Sequence, residues 1–179
     1  MKIILDAGHG GDDFGAVASD VKEKDLNLAI CKKLGILLRG AGYDILMTRN
    51  SDDFVSLHER AKKCNDSNAN LMISIHCNAA TNTEAKGAET IYYPTSKNGK
   101  KCAVEILENI EDITGCKHRS AYADRRGLYL LRATKCPAII VETGFLSSSI
   151  ELKMLQNMLY QWKVAIGIYE GIKEIRNGL

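Results

Sequence analysis

The chain has 179 residues, 45% hydrophobic and 26% charged, with 15 Gly and 2 Pro. That size suits one domain burying roughly 70% of its unfolded surface, and the composition excludes a disordered or fibrous chain. Its 24 Lys and Arg nearly balance 22 Asp and Glu, a formal charge of +2 that excludes the strong basic excess of a dedicated nucleic-acid binder.

The order of elements is readable from hydrophobic periodicity. Lys2 to Ala7 predicts a buried strand that runs into the flexible Gly8-His9-Gly10-Gly11. The start, Met1-Lys2-Ile3-Ile4-Leu5-Asp6, meets a carboxylate too early for a secretory signal. From Glu23 to about Ala41, apolar residues at Leu26, Ala29, Ile30, Leu34, Leu37 and Leu38 keep helical spacing, with Gly40 and Gly42 marking the end. Tyr43 to Thr48 predicts a strand, Leu57 to about Ser67 a short polar helix, and Leu71 to His76 a second strongly apolar strand.

Glu89 to Tyr93 predicts a further strand closed by Pro94, and residues 98–115 a helix ending at Gly115. Lys117 to Arg126 reads as a basic loop, and Leu128 to Arg132 as a brief strand. Ala138 to Val141 predicts the third strongly apolar strand, ending at Glu142. Ser148-x-x-Glu151 has the pattern of a capping box and opens a helical region that runs to about Arg176, with a break near Asn157. No apolar run approaches the ~20 residues of a membrane span. Strands separated by helices imply a mainly parallel sheet, and their near-continuous apolar character implies helices on both faces. The expected fold class is a single-domain α/β sandwich over residues 1–179.

Six cysteines (Cys31, Cys64, Cys77, Cys102, Cys116, Cys136) lie at wide, irregular spacings without a CxxC. They read as free thiols of a chain made in a reducing cytoplasm.

In open α/β sheets, ligands bind outside the carboxyl ends of the strands. There the sequence puts His9, His76 and Glu142, and Glu23 opens the helix that can fold back over the same edge. Two imidazoles and two carboxylates suit a catalytic zinc site, with three N/O ligands, one open position and a general base. Each has a plainer reading. A lone His at a strand end is commonly a hydrogen-bonded structural residue, and a Glu in a first helical turn commonly stabilises the dipole. Glu142 resists this, since a carboxylate after four apolar strand residues is costly to bury without a partner or a task. His58 and His118 read as solvated surface residues, and Cys77 alternates to the other side of its strand from His76. Gly8-x-Gly10 resembles the start of a dinucleotide fingerprint, but no third Gly follows at the needed spacing, no Lys-Ser/Thr pair follows, and Asp12-Asp13 would repel a pyrophosphate.

Asp6-Ala-Gly-His-Gly-Gly11, Glu23-Lys-Asp-Leu-Asn-Leu28, Thr48-Arg49, Ser74-Ile-His-Cys-Asn-Ala79, Gly87-Ala-Glu89 and Glu142-Thr-Gly-Phe-Leu146 stand in one order along nearly the whole chain. In that order they resemble the zinc-dependent N-acetylmuramoyl-L-alanine amidases of the amidase-3 type, found in bacterial autolysins and phage endolysins. Ala7 departs from the family's frequent Pro, and Ser148 from its frequent Asn. The resemblance implies a twisted six-stranded sheet, zinc held by His9, Glu23 and His76, and Glu142 as catalytic acid/base. The implied substrate is bacterial peptidoglycan, cut between N-acetylmuramic acid and L-alanine. Without a signal peptide, the resemblance points to a phage endolysin's catalytic module, made in the host cytoplasm and acting on the wall. A separate wall-binding domain would then follow it. The glycine loop and residues 117–126 are expected to border the substrate groove. The rival readings are a zinc carbohydrate deacetylase, a glycosidase with two carboxylates and a non-catalytic wall-binding module.

Overall fold

The computed structural model of the chain describes residues 1–175. In order, the elements are β1 (Lys2–Ala7), the short strands β2 (Val17–Ala18) and β3 (Val21–Lys22), α1 (Glu23–Gly40), β4 (Asp44–Met47), α2 (Leu57–Asp66), β5 (Leu71–Asn78) and β6 (Glu89–Tyr92). They continue with α3 (Lys97–Thr114), β7 (Ala121–Ala123), α4 (Tyr129–Ala133), β8 (Ala138–Phe145), α5 (Ser149–Gln156) and α6 (Met158–Ile175). The main sheet has six strands in the order β4-β1-β5-β8-β6-β7, and only the β6–β8 pair is antiparallel. The mainly parallel α/β sandwich expected from the sequence is therefore present, and the helical region breaks at Asn157. The expected limit near Arg176 lies outside the described residues.

Alternation along the strands feeds two cores. Ile3, Leu5, Ile73, Ile139 and Val141 face α1, α3 and α6, while Ile4, Met72 and Ile140 face α2 and α4. α3 and α6 pack backbone to backbone. A Cβ at Gly167 or Gly171 would stand 2.7 Å from the Cα of Ile110 or Ile106. No helix among the described residues is long and apolar enough to cross a membrane.

Two segments differ from expectation. Leu128–Arg132 is not a strand: Tyr129–Ala133 form α4. A short apolar run has no period of its own. Here the buried Asp124 carboxylate accepts from the amides of Arg126 and Leu128, turning the chain just before the helix. The 117–126 segment, expected as loop, contains β7, because the edge of β6 was open to a parallel partner. The capping box at Ser148 is half formed. Ser148 accepts from the Glu151 amide, but the Glu151 carboxylate accepts instead from the amides of Gly87 and Phe145. A complete box stands at Ser56 and Glu59, opening α2.

The β1–β5 seam holds a fully buried Asp6. Its carboxylate accepts from Thr48 Oγ1 and Ser74 Oγ at 2.6 Å and from Arg60 Nη1 at 2.7 Å. Burial opposes its charge, but Arg60 and the two hydroxyls outweigh burial and hold the carboxyl below its usual value. A folded value below the unfolded one means that this stabilisation is present above about pH 4 and is lost as the pH falls through the folded value. Arg60→Ala strands a buried carboxylate and should lower the unfolding free energy by about 3–5 kcal/mol at pH 7. Urea denaturation measures this, and the deficit should shrink below about pH 4 as Asp6 protonates.

Candidate metal centre

The carboxyl edge of the sheet gathers the predicted residues. After β1 the chain enters a glycine loop in which His9 takes the left-handed region (φ 62°), with Gly10, Gly11 and Gly15 also at positive φ. A non-glycine residue there persists only where its surroundings over-determine it. Gly10 and Asp13 exchange backbone hydrogen bonds (2.9 and 3.1 Å), and Lys24 Nζ and Asp52 hold Gly11 from both sides. Arg60 Nη2 donates to the His9 carbonyl at 2.7 Å. Arg49 reaches the carbonyls of Ala7 (2.9 Å) and Gly8 (3.0 Å).

Glu23 begins α1, yet its side chain serves the site rather than the helix end. Oε1 accepts from Asn27 Nδ2 (3.1 Å) and the Cys77 amide (3.1 Å) and meets His76 Nδ1 at 3.0 Å. Oε2 accepts from the Ala16 amide (2.9 Å) and lies 3.2 Å from His9 Nε2. The two imidazoles stand edge to face, 5.1 Å between centroids. One donor atom from each of His9, Glu23 and His76 lies within 4.8 Å of the others.

Glycine makes this convergence possible. A Cβ at Gly8 would sit 2.3 Å from His76 Cε1, and one at Gly15 would sit 2.5 Å from Glu23 Oε2. The His9 ring is oriented by Asp13, whose carboxylate oxygens both lie 2.9 Å from Nδ1. This leaves Nε2 facing Glu23, the carboxylate–histidine arrangement common behind metal ligands.

Glu142 lies one strand over, in register with His76, and Glu89 faces it from β6. Its Oε2 is shut from solvent without a hydrogen-bond partner. Burial raises the Glu142 carboxyl above its usual value, the charges of Glu23 and Glu89 add to this, and His76 and Arg126 oppose it. Glu89 is bound by Asn78 Nδ2 (2.8 Å), Arg119 Nε (2.9 Å) and Tyr122 OH (3.1 Å), which hold its side chain in place beside Glu142. Burial alone would lower His9, but the hydrogen bonds and charges of Glu23 and Asp13 raise it to about 9. Glu23 is held far below the usual carboxylate range by His76 and His9 against the opposing effect of burial. The cluster is thus one carboxylate shared between two imidazoles that favour protons. Two nitrogens and one oxygen within 4.8 Å of one another are a donor set suited to zinc, which would replace those protons.

The structure brings together His9, Glu23, His76 and Glu142. His58 is exposed, 3.2 Å from Tyr129 OH. His118, expected as solvated, is half-buried beside Glu111. Cys77 points away from His76, its Sγ 3.2 Å from Thr143 Oγ1. The supporting roles of Asp13, Asn27, Arg49 and Arg60 were not legible, although Asn27 and Arg49 stand in the quoted motifs; the local signals are the four-residue spacings of His9 to Asp13 and Glu23 to Asn27. A cleft of about 380 Å³ adjoins the histidines, walled by Asp13, Phe54, Leu57 and Leu130. Residues 54–57 therefore form a wall not foreseen. From the 117–126 segment, Arg126 acts on Glu142 through its charge and Arg119 fixes Glu89.

Residues 3–174 match the amidase-3 family, N-acetylmuramoyl-L-alanine amidase. The chain belongs to this family. It is 32% identical over 171 residues to the N-acetylmuramoyl-L-alanine amidase LytC of Bacillus subtilis, covering 94% of this chain and 34% of that protein. It is 38% identical over 184 residues to the endolysin of Bacillus phage SPP1, covering 98% of this chain and 66% of that one. Among solved structures, the CwlD amidase of Clostridioides difficile, determined in complex with the GerS lipoprotein, superposes with a TM-score of 0.94. It is 34% identical, with 98% of each chain covered. The chain thus spans about a third of LytC and about two thirds of the endolysin.

In this amidase fold, Gly15→Ala is expected to push Glu23 and His9 apart. Zinc affinity, read by competition with a chromophoric chelator, should fall about 10–100-fold, as when a metal ligand loses its support. Gly42→Ala, also at positive φ but with open space around it, should leave affinity unchanged.

Proposed function

We propose that this chain hydrolyses the amide joining the lactyl group of N-acetylmuramic acid to L-alanine in bacterial peptidoglycan, with zinc held by His9, Glu23 and His76 and with Glu142 as general acid/base. Family membership supports the substrate. The observation that carries the site assignment is the convergence of three donor atoms within 4.8 Å beside a carboxylate whose buried Oε2 has no partner. When bound, zinc supplies Lewis acidity, which makes water nucleophilic near neutral pH and draws charge from an amide carbonyl.

The chain's own groups do the rest. Asp13 holds the His9 tautomer that presents Nε2, and Asn27 with the Ala16 and Cys77 amides fixes both Glu23 oxygens. The Glu142 carboxylate takes the proton from the attacking water and returns it to the departing alanine nitrogen. Its raised proton affinity suits both halves of that exchange. Phe54, Leu57 and Leu130 offer an apolar wall that limits water beside the reacting bond. On this reading residues 1–179 form one catalytic unit.

Glu142→Gln keeps shape and hydrogen bonding but cannot accept a proton. Turnover should fall about 10²–10⁴-fold with zinc content and melting temperature unchanged. Glu23→Gln should lose zinc and activity together, as metal analysis after dialysis would record. The assay follows new amino termini released from purified peptidoglycan, with reducing sugars and acetate measured alongside. Reducing ends would establish a glycosidase instead, acetate a deacetylase, and an active Glu142→Gln chain would remove Glu142 from its role.

A further inference from the structure

Far from the metal centre, two thiols 72 positions apart meet. Cys64, in the last turn of α2, and Cys136, between α4 and β8, bring their Sγ atoms to 3.4 Å. The approach is held on both sides by Asn65, whose Nδ2 donates to the Ala133 carbonyl (2.9 Å) and whose Oδ1 accepts from the Lys135 amide (2.8 Å). A surface cleft of about 210 Å³, lined by Cys64, Asn65, Asn68, Ala69, Lys135 and Cys136, leads to the pair. Cys64 is buried and Cys136 half-buried. The cleft lies near the amino ends of β5 and β8, whose opposite ends carry His76 and Glu142.

We propose that Cys64 and Cys136 form a thiol-oxidation site, converted to an intramolecular disulfide by a low-molecular-weight disulfide. Cys136 reacts first, being the more accessible. The Cys64 contact also holds the Cys136 thiol below its usual value, whereas that contact and burial push Cys64 up. The Cys136 thiolate attacks one sulfur of the oxidant, forming a mixed disulfide and expelling one thiolate. Cys64, giving up its proton, attacks Cys136 Sγ and expels the second thiolate. Two protein thiols are oxidised, the oxidant takes two electrons, and two small thiols leave. Peptidoglycan lies outside the reducing cell interior, where such a bond persists. The product staples α2, which carries Arg60, to the start of β8.

The test oxidises the purified full chain with glutathione disulfide and maps its cysteine peptides by mass spectrometry. The expected result joins the Cys64 and Cys136 peptides and raises the melting temperature by about 10 °C, from closure of a loop of this length. Dithiothreitol should reverse both changes, and neither should occur in Cys64→Ser or Cys136→Ser. A glutathione adduct that persists on Cys136 beside free Cys64, a cross-link to another cysteine, or no reaction at Cys136 would overturn the proposal. A joined chain that melts no higher than the reduced one would overturn the staple.

Discussion

Everything at the catalytic edge depends on how three consecutive carbonyls at the end of β1 are satisfied. Ala7 ends β1, Gly8 and His9 follow it out of the sheet, and a buried carbonyl without a donor is costly. Arg49 and Arg60 fill that need. Arg49 spans Ala7 and Gly8 and also holds the Lys24 carbonyl in the first turn of α1, while Arg60 spans Ala7 and His9. Because a guanidinium carries its donors in a fixed fork, each arginine sets distances between carbonyls as well as pairing them. The strained His9 backbone is held in place by this arrangement.

The same two arginines join the core to the chemistry. Arg60 neutralises the buried Asp6 at the β1–β5 seam, so one side chain satisfies the seam and shapes the ligand loop. Arg49 ties β1 to α1, whose first residue is Glu23. Loop, helix start and strand end are thus tied to one another by hydrogen bonds, and the three donor atoms converge between them. Glu142 needs no such loop, since it lies on a central strand beside His76 and its position follows from sheet register.

Much of the site is visible along the sequence, for a definite reason. His9, His76 and Glu142 each follow a strongly apolar run, and in a parallel sheet the ends of such runs share one edge. Glu23 was visible because a helix start after a glycine loop can return over that edge. The ordered motifs then named the family. The pairings of the two arginines were not legible, even though Arg49 stands in one of the ordered motifs: Arg60 is 54 positions from Asp6 and Arg49 is 42 from Ala7, so no local pattern links either pair. The departures at β7 and α4, where a loop and a strand are expected, have the same origin. A three-residue strand and a five-residue helix carry too few residues to show a period, and an open sheet edge and the Asp124 carboxylate decided them.

The sequence by itself determined the alternation of apolar strands and amphipathic helices, hence the parallel sandwich and the edge where the donors gather, because burial patterns repeat within a few residues of one another. Only the tertiary structure decided which carboxylate is shared between the imidazoles and which stands alone with an unpaired oxygen. It also decided that Asp13 orients His9, that Phe54 and Leu57 wall the cleft, and that Cys64 meets Cys136. Those outcomes depend on through-space distances of a few ångströms between groups distant in the chain, and charge, hydrogen bonding and thiol contact respond to distance in space alone.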